Sequence, residues 1–382
     1  MTSFQSKDIE PGIQKQIKRL VDRWYPLGNV VRIEQSFAGY VNKSFAVWIE
    51  KNGCRTKYFL RQYNPGIAET EIRFEHALIR HLRDNGFSQA ADVISGLGGI
   101  TFVGSDDTEA GGYYWALFEF LEGEDKYSWT RTNLTDVEFK NSAEMLARMH
   151  HAGCNFIKPP GADRAQPRIM DYLSTFADTY REYAQQAGQR QCDRLVLKHL
   201  EHILVTVSAC LALKDTLQGI LEVPIHCDYH PGNIKYRAFE AVGLFDFDWS
   251  KVDYRIFDVA LALVYFVSVW TGETAGSLRL DKFKLFLKAY QQTCRKLGRI
   301  EPLSSSEQEM MLHMVAAANL YVLNWDLMDF YGLEDPDDAE YFTYIDHNLK
   351  LMYWIEENRN AIKEAILQAC GYANPIARRQ TV

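Results

Sequence analysis

The segment VPIHCDYHPGNIKY (residues 223–236) brings two histidines, a cysteine, an aspartate and an asparagine into one short run. Three kinds of site use side chains of these types: a metal centre, a thiol nucleophile with a histidine partner, and the floor of a phosphotransfer site. The choice among them decides the fold class and most of what the sequence indicates about function.

A zinc centre is the first interpretation, because His226, Asp228 and His230 alternate as ligands on one face of a strand do. Pro231 and Gly232, however, predict a turn at this point. The sequence has no further cluster of histidines or cysteines that would supply a third and fourth ligand. The spacing therefore disfavours a metal cage.

A thiol nucleophile is the second interpretation, with Cys227 flanked by histidines on both sides. A residue that directly follows an alternating strand can equally point into the core. Buried structural cysteine is the commoner case, so the sequence disfavours catalysis by this thiol.

Phosphoryl transfer needs a carboxylate that orients and deprotonates the acceptor hydroxyl, and oxygen ligands that hold Mg²⁺ against the nucleotide phosphates. The protein-kinase layout places the base and an Mg²⁺-binding asparagine at D-x-x-x-x-N, followed by an Mg²⁺-binding aspartate on a later strand. Asp228 and Asn233 have this spacing, and a predicted hairpin folds Asp246 back toward Asn233. A capped turn and surface aspartates would explain each residue alone, but their joint occurrence favours a phosphotransfer site.

The runs HCDYHPGN, LFDFDWS and YRIFDVALAL together resemble the aminoglycoside phosphotransferase and choline kinase family. The resemblance implies a bilobal protein-kinase-like fold that uses ATP and Mg²⁺. It also implies that Asp228 is the catalytic base and that Asn233 and Asp246 hold the metal. His226 would brace the catalytic loop, and Asp258 would be structural.

Two positions of these runs leave questions. Cys227 stands where the family usually has glycine, which is a mild departure at a position that rarely touches substrate. Asp248 is an additional carboxylate near the predicted metal. It either assists a second Mg²⁺ or points to solvent, and the sequence does not choose.

The first third of the chain has a mixed pattern. Helical spacing in IQKQIKRLVDRWY precedes the strand-like runs VVRIEQSF, KSFAVWIE and TKYFLRQY, the last two joined at a hairpin-type Asn52-Gly53. The helix AETEIRFEHALIRHLRDNG follows, and ITFVG and YWALFEFLEG are predicted as two further strands. The pattern predicts an antiparallel sheet with one main helix laid on it.

From about Glu124 onward the apolar residues recur at helical intervals, with one β interruption around the catalytic motif. The sequence therefore predicts an α+β fold. A smaller sheet-rich lobe that covers the nucleotide would span residues 1–121, and a larger, mostly helical lobe with the acceptor site would span 122–382. The cleft between them is the expected ligand site.

A kinase-like small lobe also needs a phosphate-covering hairpin, a cationic residue on the third strand and a helix glutamate to pair with it. The segment SFAGYVNKSFAVWI occupies the hairpin position with one glycine, Gly39, and the resemblance assigns a nucleotide-side role to Asn42. Arg61 in YFLRQY is the candidate cation, where many relatives have lysine. Its partner would be Glu75, with Glu71 one turn earlier as the alternative.

The run WALFEFLEG resembles the inter-lobe linker of the family, in which backbone groups bind adenine. Backbone contacts from Glu119 and Leu121 are therefore expected. The run AEMLARMHHAG resembles the helix of the family that ends in L-A-x-L-H, and its His150 is interpreted as a packing or capping residue.

Acceptor choice has a weaker signal. From residue 322 to 346 there are eight acidic residues and no lysine or arginine, with aromatic residues interleaved. Carboxylates beside aromatic faces suit an ammonium-bearing acceptor, although a solvated acidic loop explains part of the stretch. The acceptor-side candidates are Trp325, Asp326 and Asp329 on the predicted helix, together with His230.

The runs YVNKSFAV, YFLRQYNPG and EHALIRHL look most like homoserine-kinase-type members of the family. The first expectation is therefore a small hydroxylated acceptor, an amino alcohol or amino acid. Aminoglycoside and choline- or ethanolamine-type acceptors come next, then a protein acceptor. A catalytically silent nucleotide-binding regulator is the alternative from another class.

Bulk composition is consistent with a cytoplasmic enzyme. The formal net charge of −8 argues against a nucleic-acid partner. Seven cysteines without a C-x-x-C pattern indicate a reducing compartment. The most apolar run, residues 257–270, is shorter than the roughly 20 residues that span a bilayer, so it predicts a buried helix and no membrane partner.

Overall fold

The structure is a computed structural model that describes residues 9–36, 42–104, 106–107 and 109–371. Gly39, the glycine of the expected phosphate-covering hairpin, lies outside the described residues. The strands on either side of it are described, and they pair with each other as antiparallel neighbours.

A four-stranded antiparallel sheet dominates the N-terminal part. Its strands lie in chain order and are β1 (Asn29–Ser36), β2 (Lys43–Lys51), β3 (Cys54–Gln62) and β4 (Trp115–Glu119). Asn52 and Gly53 join β2 to β3 with positive φ angles of 53° and 78°. Such angles are typical of the tight turns that asparagine and glycine allow, so the hairpin predicted from Asn52-Gly53 is confirmed.

Two helices pack on opposite faces of this sheet. They are α1 (Pro11–Trp24) and α2 (Glu69–Asp84). Because side chains alternate along a strand, Leu60 of β3 joins the apolar core with α1, while Arg61 faces α2 and the cleft. The alternation of side chains along β3 thus places the buried Arg61 guanidinium on the face of the sheet where the candidate site forms.

The prediction that ITFVG forms a strand is wrong. Only Val103 of that run pairs with the sheet, through a single bridge to Trp115. Residues 97–99 form a short 3₁₀ turn, in which Gly98 and Gly99 have positive φ angles of 68° and 80°. Such backbone does not belong to a pleated ladder, so strand pairing does not extend back through these glycines.

The C-terminal part is mostly helical. Its helices are α3 (Asp136–Gly153), α4 (Ile169–Gln186), α5 (Gln191–Leu211), α6 (Arg255–Val267), α7 (Leu280–Leu297), α8 (Ser305–Gly332), α9 (Asp338–Glu357) and α10 (Arg359–Cys370). Three small antiparallel pairs interrupt them: β5 (Glu222–Ile225) with β8 (Lys251–Tyr254), β6 (Ile234–Arg237) with β7 (Glu240–Leu244), and β9 (Ser268–Val269) with β10 (Ser277–Leu278). Sheet first and helices afterwards is the predicted α+β arrangement. The division at residue 121 stays a prediction.

Every residue of α6 is buried, and the helix packs against α7 and α8. The apolar run from residue 257 is therefore a core helix, as predicted, although it ends at Val267 rather than continuing to residue 270. Within the described ranges a single stretch, Gln191–Leu217, is long and apolar enough by composition to cross a membrane. It begins with α5, which packs on α4, α8 and α9.

Candidate active site

The loop predicted to be catalytic joins β5 to β6, and its geometry is set by Asp228 and Asn233. The side-chain amide of Asn233 donates to the backbone carbonyl of Asp228 at 2.9 Å and to its Oδ2 at 2.8 Å. A 3₁₀ turn at Pro231–Asn233 brings the two residues together, and the ring of His230 accepts from the amide of Gly232 at 3.0 Å. The Asp228 side chain is 23% exposed, so it can reach a bound acceptor.

Asp258 at the start of α6 holds this loop from below. Its carboxylate accepts from the backbone amides of His226 and Cys227 and from Nε2 of His150, each at 2.9 Å. Burial acts against its charge, but hydrogen bonding from His150 and the nearby His226 more than offset it, so the pKa of Asp258 is lowered. The site thus contains a buried carboxylate whose donors lie on two distant segments.

The buried side chains of His226 and Cys227 face away from Asp228. The Nε2 of His226 donates to the carbonyl of Phe245 at 3.0 Å, which ties the catalytic loop to the returning strand. The thiol of Cys227 donates to the Tyr321 hydroxyl at 3.3 Å, and burial raises its pKa to about 11. A buried, protonated thiol is not a nucleophile, and His226 is not turned toward a shared metal with Asp228.

The β6–β7 hairpin returns the chain beside the catalytic loop, where the amide of Phe245 donates to the Asn233 carbonyl at 3.2 Å. Asp246 follows with a φ angle of 69°, which turns its side chain out of the strand direction. Its side chain is 32% exposed. Burial and then the proximity of Asp246 raise the pKa of Asp228 well above its usual value, so the two carboxylates share one electrostatic environment.

Arg61 reaches this pair from the N-terminal sheet. One of its terminal nitrogens lies 3.0 Å from Glu75 and the other 3.1 Å from Asp246, and a third contact is with Asp248. The structure therefore places Glu75 against Arg61. The alternative, Glu71, instead lies 3.8 Å from Arg164.

Asp248 is folded inward rather than pointing to solvent. Its carboxylate accepts from Arg61 and from the side-chain amide of Asn42, and the side chain is 10% exposed. Asn42 in turn accepts from the backbone amide of Asn64 at 2.9 Å. Asp248 thus links the N-terminal sheet to the segment that follows Asp246. Of its two predicted roles, that of a solvent-facing carboxylate is not what the structure has.

The residues present fit a magnesium ion with a nucleotide. Mg²⁺ uses one or two protein oxygens and completes its shell with water and phosphate. The amide nitrogen of Asn233 is turned to Asp228, which leaves its oxygen free, and Asp246 supplies a partly exposed carboxylate. Among the described residues no atom accepts from the buried Nε of Arg61, which leaves one donor for a phosphate oxygen.

The predicted adenine-binding linker starts where β4 ends. The amide of Glu119 already donates to the Asp92 carbonyl at 2.8 Å, and its carboxylate pairs with Arg83 at 3.0 Å. The side chain of Leu121 lies against Gly243 of β7, where a Cβ would approach it to 3.1 Å. Leu121 therefore packs the linker onto the catalytic hairpin, and backbone contacts to adenine stay a prediction.

The four acceptor-side candidates differ in burial: Asp326 is buried, His230 and Trp325 are half-buried, and Asp329 is exposed. The ring of His230 lies 5.3 Å from that of Tyr265, and burial together with the charges of Asp228 and Asp326 raises the pKa of Tyr265. Asp326 is buried and accepts from the Asn348 side chain at 2.7 Å. The structure thus brings His230 and Asp326 to the Asp228 side of the cleft.

The other two candidates, Trp325 and Asp329, also lie on α8. Trp325 packs its ring 4.4 Å from that of Trp249, which lies in the segment that follows Asp246. Asp329 is exposed near the helix end. Downstream, Asp338 caps the start of α5 through the amides of Gln191 and Cys192, so that acidic stretch is partly structural.

Sequence reasoning missed two residues of the site. Tyr265 sits in an unbroken apolar run, which gave no polar signal. Arg164 donates to the carbonyls of Phe247 and Ser250, each at 2.8 Å, and fixes the backbone around Asp248. It lies in a loop without a motif, so no signal in the sequence could have found it.

Comparisons with known proteins agree with the resemblance found in the sequence motifs. The model of the phosphotransferase enzyme family matches residues 34–295. Similar curated proteins include the homoserine kinase of Bradyrhizobium sp. (strain ORS 278), 26% identical over 307 residues that cover 80% of this chain and 82% of that protein. The homoserine kinase of Afipia carboxidovorans is 27% identical with the same coverage of both chains.

Solved structures show the same fold. An aminoglycoside phosphotransferase from Alicyclobacillus acidocaldarius superposes with a TM-score of 0.59 at 16% identity, covering 95% of this chain and 99% of that one. Choline kinase from Cryptosporidium parvum Iowa II gives 0.59 at 15% identity, covering 93% and 98%. The predicted bilobal, protein-kinase-like fold is confirmed.

Proposed function

Because the chain belongs to the phosphotransferase enzyme family, we propose that it transfers the γ-phosphoryl group of ATP to the hydroxyl of a small amine-bearing acceptor. The observation that carries the proposal is the meeting of Asp228, Asn233 and Asp246 with the Arg61–Glu75 pair at the junction of sheet and helices. Positioning and electrostatic stabilisation supply most of the catalysis in phosphoryl transfer, and these groups can provide both.

In the proposed reaction Asp228 accepts a hydrogen bond from the acceptor hydroxyl and takes its proton. The hydroxyl oxygen forms a bond to the γ-phosphorus while the bond to the ADP oxygen breaks. Asn233 fixes the Asp228 carboxylate through its side-chain amide. Bound Mg²⁺, held by Asn233 and Asp246, would neutralise the phosphate charge, and Arg61 would orient phosphate oxygens.

The acceptor is proposed to be an amino acid or amino alcohol of the homoserine type, with aminoglycosides and choline- or ethanolamine-like alcohols as alternatives. Asp326 supports an ammonium group. Burial raises the pKa of its carboxyl well above the usual value, and the hydrogen bond from the neutral Asn348 amide offsets this only in part. Within the described part of the chain no arginine or lysine forms an ion pair with it. A substrate ammonium would supply the missing charge partner.

The proposal predicts ATP consumption that depends on Asp246. With Mg²⁺ and a panel of homoserine, ethanolamine, choline and an aminoglycoside, the native chain should release ADP with at least one acceptor. Asp246→Asn should lower kcat at least about 100-fold, because metal ligation contributes several kcal/mol to transition-state stabilisation. ADP release in a coupled assay measures this. The exposed Asp281→Asn on α7 is the matched control.

Failure of every acceptor would overturn the proposed enzyme. Nucleotide binding without turnover would then support the silent regulator, whereas tightly held zinc after dialysis would support a metal hydrolase instead.

Replacing Asp326 with asparagine should raise the KM for the acceptor by about tenfold or more, because hydrogen bonds to charged groups contribute about 1.5–3 kcal/mol. The KM for ATP should stay unchanged, since Asp326 lies on the acceptor side. Initial rates with each substrate varied in turn give both constants. The exposed Asp178→Asn on α4 should leave the acceptor KM unaltered, and a normal acceptor KM in Asp326→Asn would remove Asp326 from the acceptor site.

A further inference from the structure

A second cleft, of about 490 Å³, lies on another face of α2 from the one that carries Glu75. One wall is a single stripe of the helix, with Arg73, His76 and Arg80 spaced at three and four residues. The opposite wall is the segment after the 3₁₀ turn, which includes Thr101 and Phe102. Neither the predicted reaction nor the acceptor site uses this cleft.

The cleft carries positive charge that is only partly paired with carboxylates. Arg73 pairs with Glu69 at 2.8 Å and stacks its guanidinium 5.4 Å from the Phe102 ring centre, so these two charges largely cancel. Arg80 is exposed and donates to the neutral hydroxyl of Ser95 at 2.7 Å. Across the described ranges no carboxylate pairs with Arg80. One guanidinium beside apolar walls suits a small organic anion.

A buried hydrogen-bond chain joins this cleft to the nucleotide side. Thr101 Oγ1 lies 2.9 Å from His76 Nδ1, and His76 Nε2 lies 3.0 Å from the Tyr63 hydroxyl. Tyr63 donates to Glu75 at 2.8 Å, and Glu75 accepts from Arg61 at 3.0 Å. Every link has normal hydrogen-bond length.

The donors of the hydrogen-bond chain all point one way, from Thr101 toward Glu75. Since the Tyr63 hydroxyl donates its hydrogen bond to Glu75, its oxygen must accept a hydrogen bond from a protonated Nε2 of His76. The Nδ1 of His76 is then bare and accepts from Thr101. Burial, followed by the nearby Arg61 and Arg80, lowers the pKa of His76 to about 3, so the ring is neutral and holds one tautomer.

From this arrangement we propose that the α2 cleft binds a small organic anion at Arg80 and that its occupancy alters nucleotide binding through Thr101 and the hydrogen-bond chain. The anion would accept from the Arg80 guanidinium and from the Thr101 hydroxyl. Redirecting that hydroxyl removes a donor from His76 and loosens the support of Glu75. The cleft is thus a regulatory site next to the catalytic one.

Benzoate, an aromatic carboxylate, is the probe for binding, and benzamide is its uncharged counterpart. With the nucleotide site filled by Mg²⁺ and AMP-PNP, calorimetry should give saturable benzoate binding and none for benzamide. Arg80→Gln should weaken benzoate by about tenfold or more, in line with loss of a charged hydrogen bond. Arg181→Gln, an exposed arginine on α4, should not. Equal binding to native and Arg80→Gln proteins, equal binding of both probes, or no saturable benzoate binding would overturn the site.

The coupling has its own measurement, and this arm rests on the proposed function. Benzoate should shift the Kd of a fluorescent ATP analogue severalfold in the native chain, with sodium chloride as the ionic-strength control. Thr101→Val, which keeps the side-chain shape, should still bind benzoate and lose the shift. An unchanged nucleotide Kd in the native chain would refute the coupling. Absence of any nucleotide binding would instead refute the proposed function, and the benzoate experiment would still decide the site.

Discussion

Replacing Asp228 with asparagine should lower kcat by about 10²–10⁴-fold, the contribution typical of a general base, while nucleotide affinity is retained. The asparagine keeps the size of the side chain and an oxygen that can accept from Asn233, but it cannot take the acceptor proton. A coupled ADP assay gives kcat, and binding of a fluorescent ATP analogue gives the affinity.

The same variant should fold at least as stably as the native chain. Burial and the neighbouring Asp246 raise the pKa of Asp228, so folding makes its ionised form less favourable. A neutral isostere removes that cost above the ordinary carboxyl pKa. Asp178→Asn, exposed on α4, serves as the control for both measurements. Full kcat in Asp228→Asn would mean that another group is the base.

Replacing Asp258 with alanine should lower the free energy of unfolding by about 3–5 kcal/mol, the range for breaking a buried charged network. The carboxylate is fully buried and satisfies the amides of His226 and Cys227 and the ring of His150. Its loss leaves these donors unpaired beneath the catalytic loop, so activity should fall together with stability. Urea denaturation followed by circular dichroism measures the change.

The acid side of the stability profile tests the same contact. Because the pKa of Asp258 is lowered in the folded chain, its contribution is present above the ordinary carboxyl value of 3.8 and is lost as pH falls through the folded value. Asp258→Asn should therefore flatten the acid loss of stability. Asp215→Ala, at an exposed position before β5, should change neither the pH dependence of stability nor the free energy of unfolding. An equal effect of the Asp215 and Asp258 variants would contradict the structural role of Asp258.

Local patterns predicted much of the fold because they depend on neighbours in the chain. The spacing of Asp228 and Asn233 fits within one turn, and the β6–β7 hairpin predicted from its sequence returns Asp246 beside them. Asn52-Gly53 marked its turn because both residues adopt positive φ angles, which few other residues do at low cost. The run ITFVG was wrongly predicted as a strand, since its strand-like composition does not reveal that it pairs with the sheet at one residue only.

What failed or stayed open involved partners far apart in the chain. Arg61 could have paired with Glu71 or Glu75, and only the rotation of α2 against the sheet placed Glu75 there. Asp248 could have faced solvent, but Asn42, 206 residues away, folds it inward. His150 was interpreted as a packing or capping residue and is buried, but its partner Asp258, 108 residues away, could not be read from the sequence.

The sequence by itself determined the family, the spacing that brings Asp228 and Asn233 together and the α+β order of elements, because backbone preferences and motif spacing act over a few residues. Only the tertiary structure decided which charges meet and which carboxylates are buried. Asp326 is enclosed while Asp329, one turn away on the same helix, stays exposed. That difference depends on what α9 packs against, and pairing across such distances is set by the packing of whole elements rather than by local pattern.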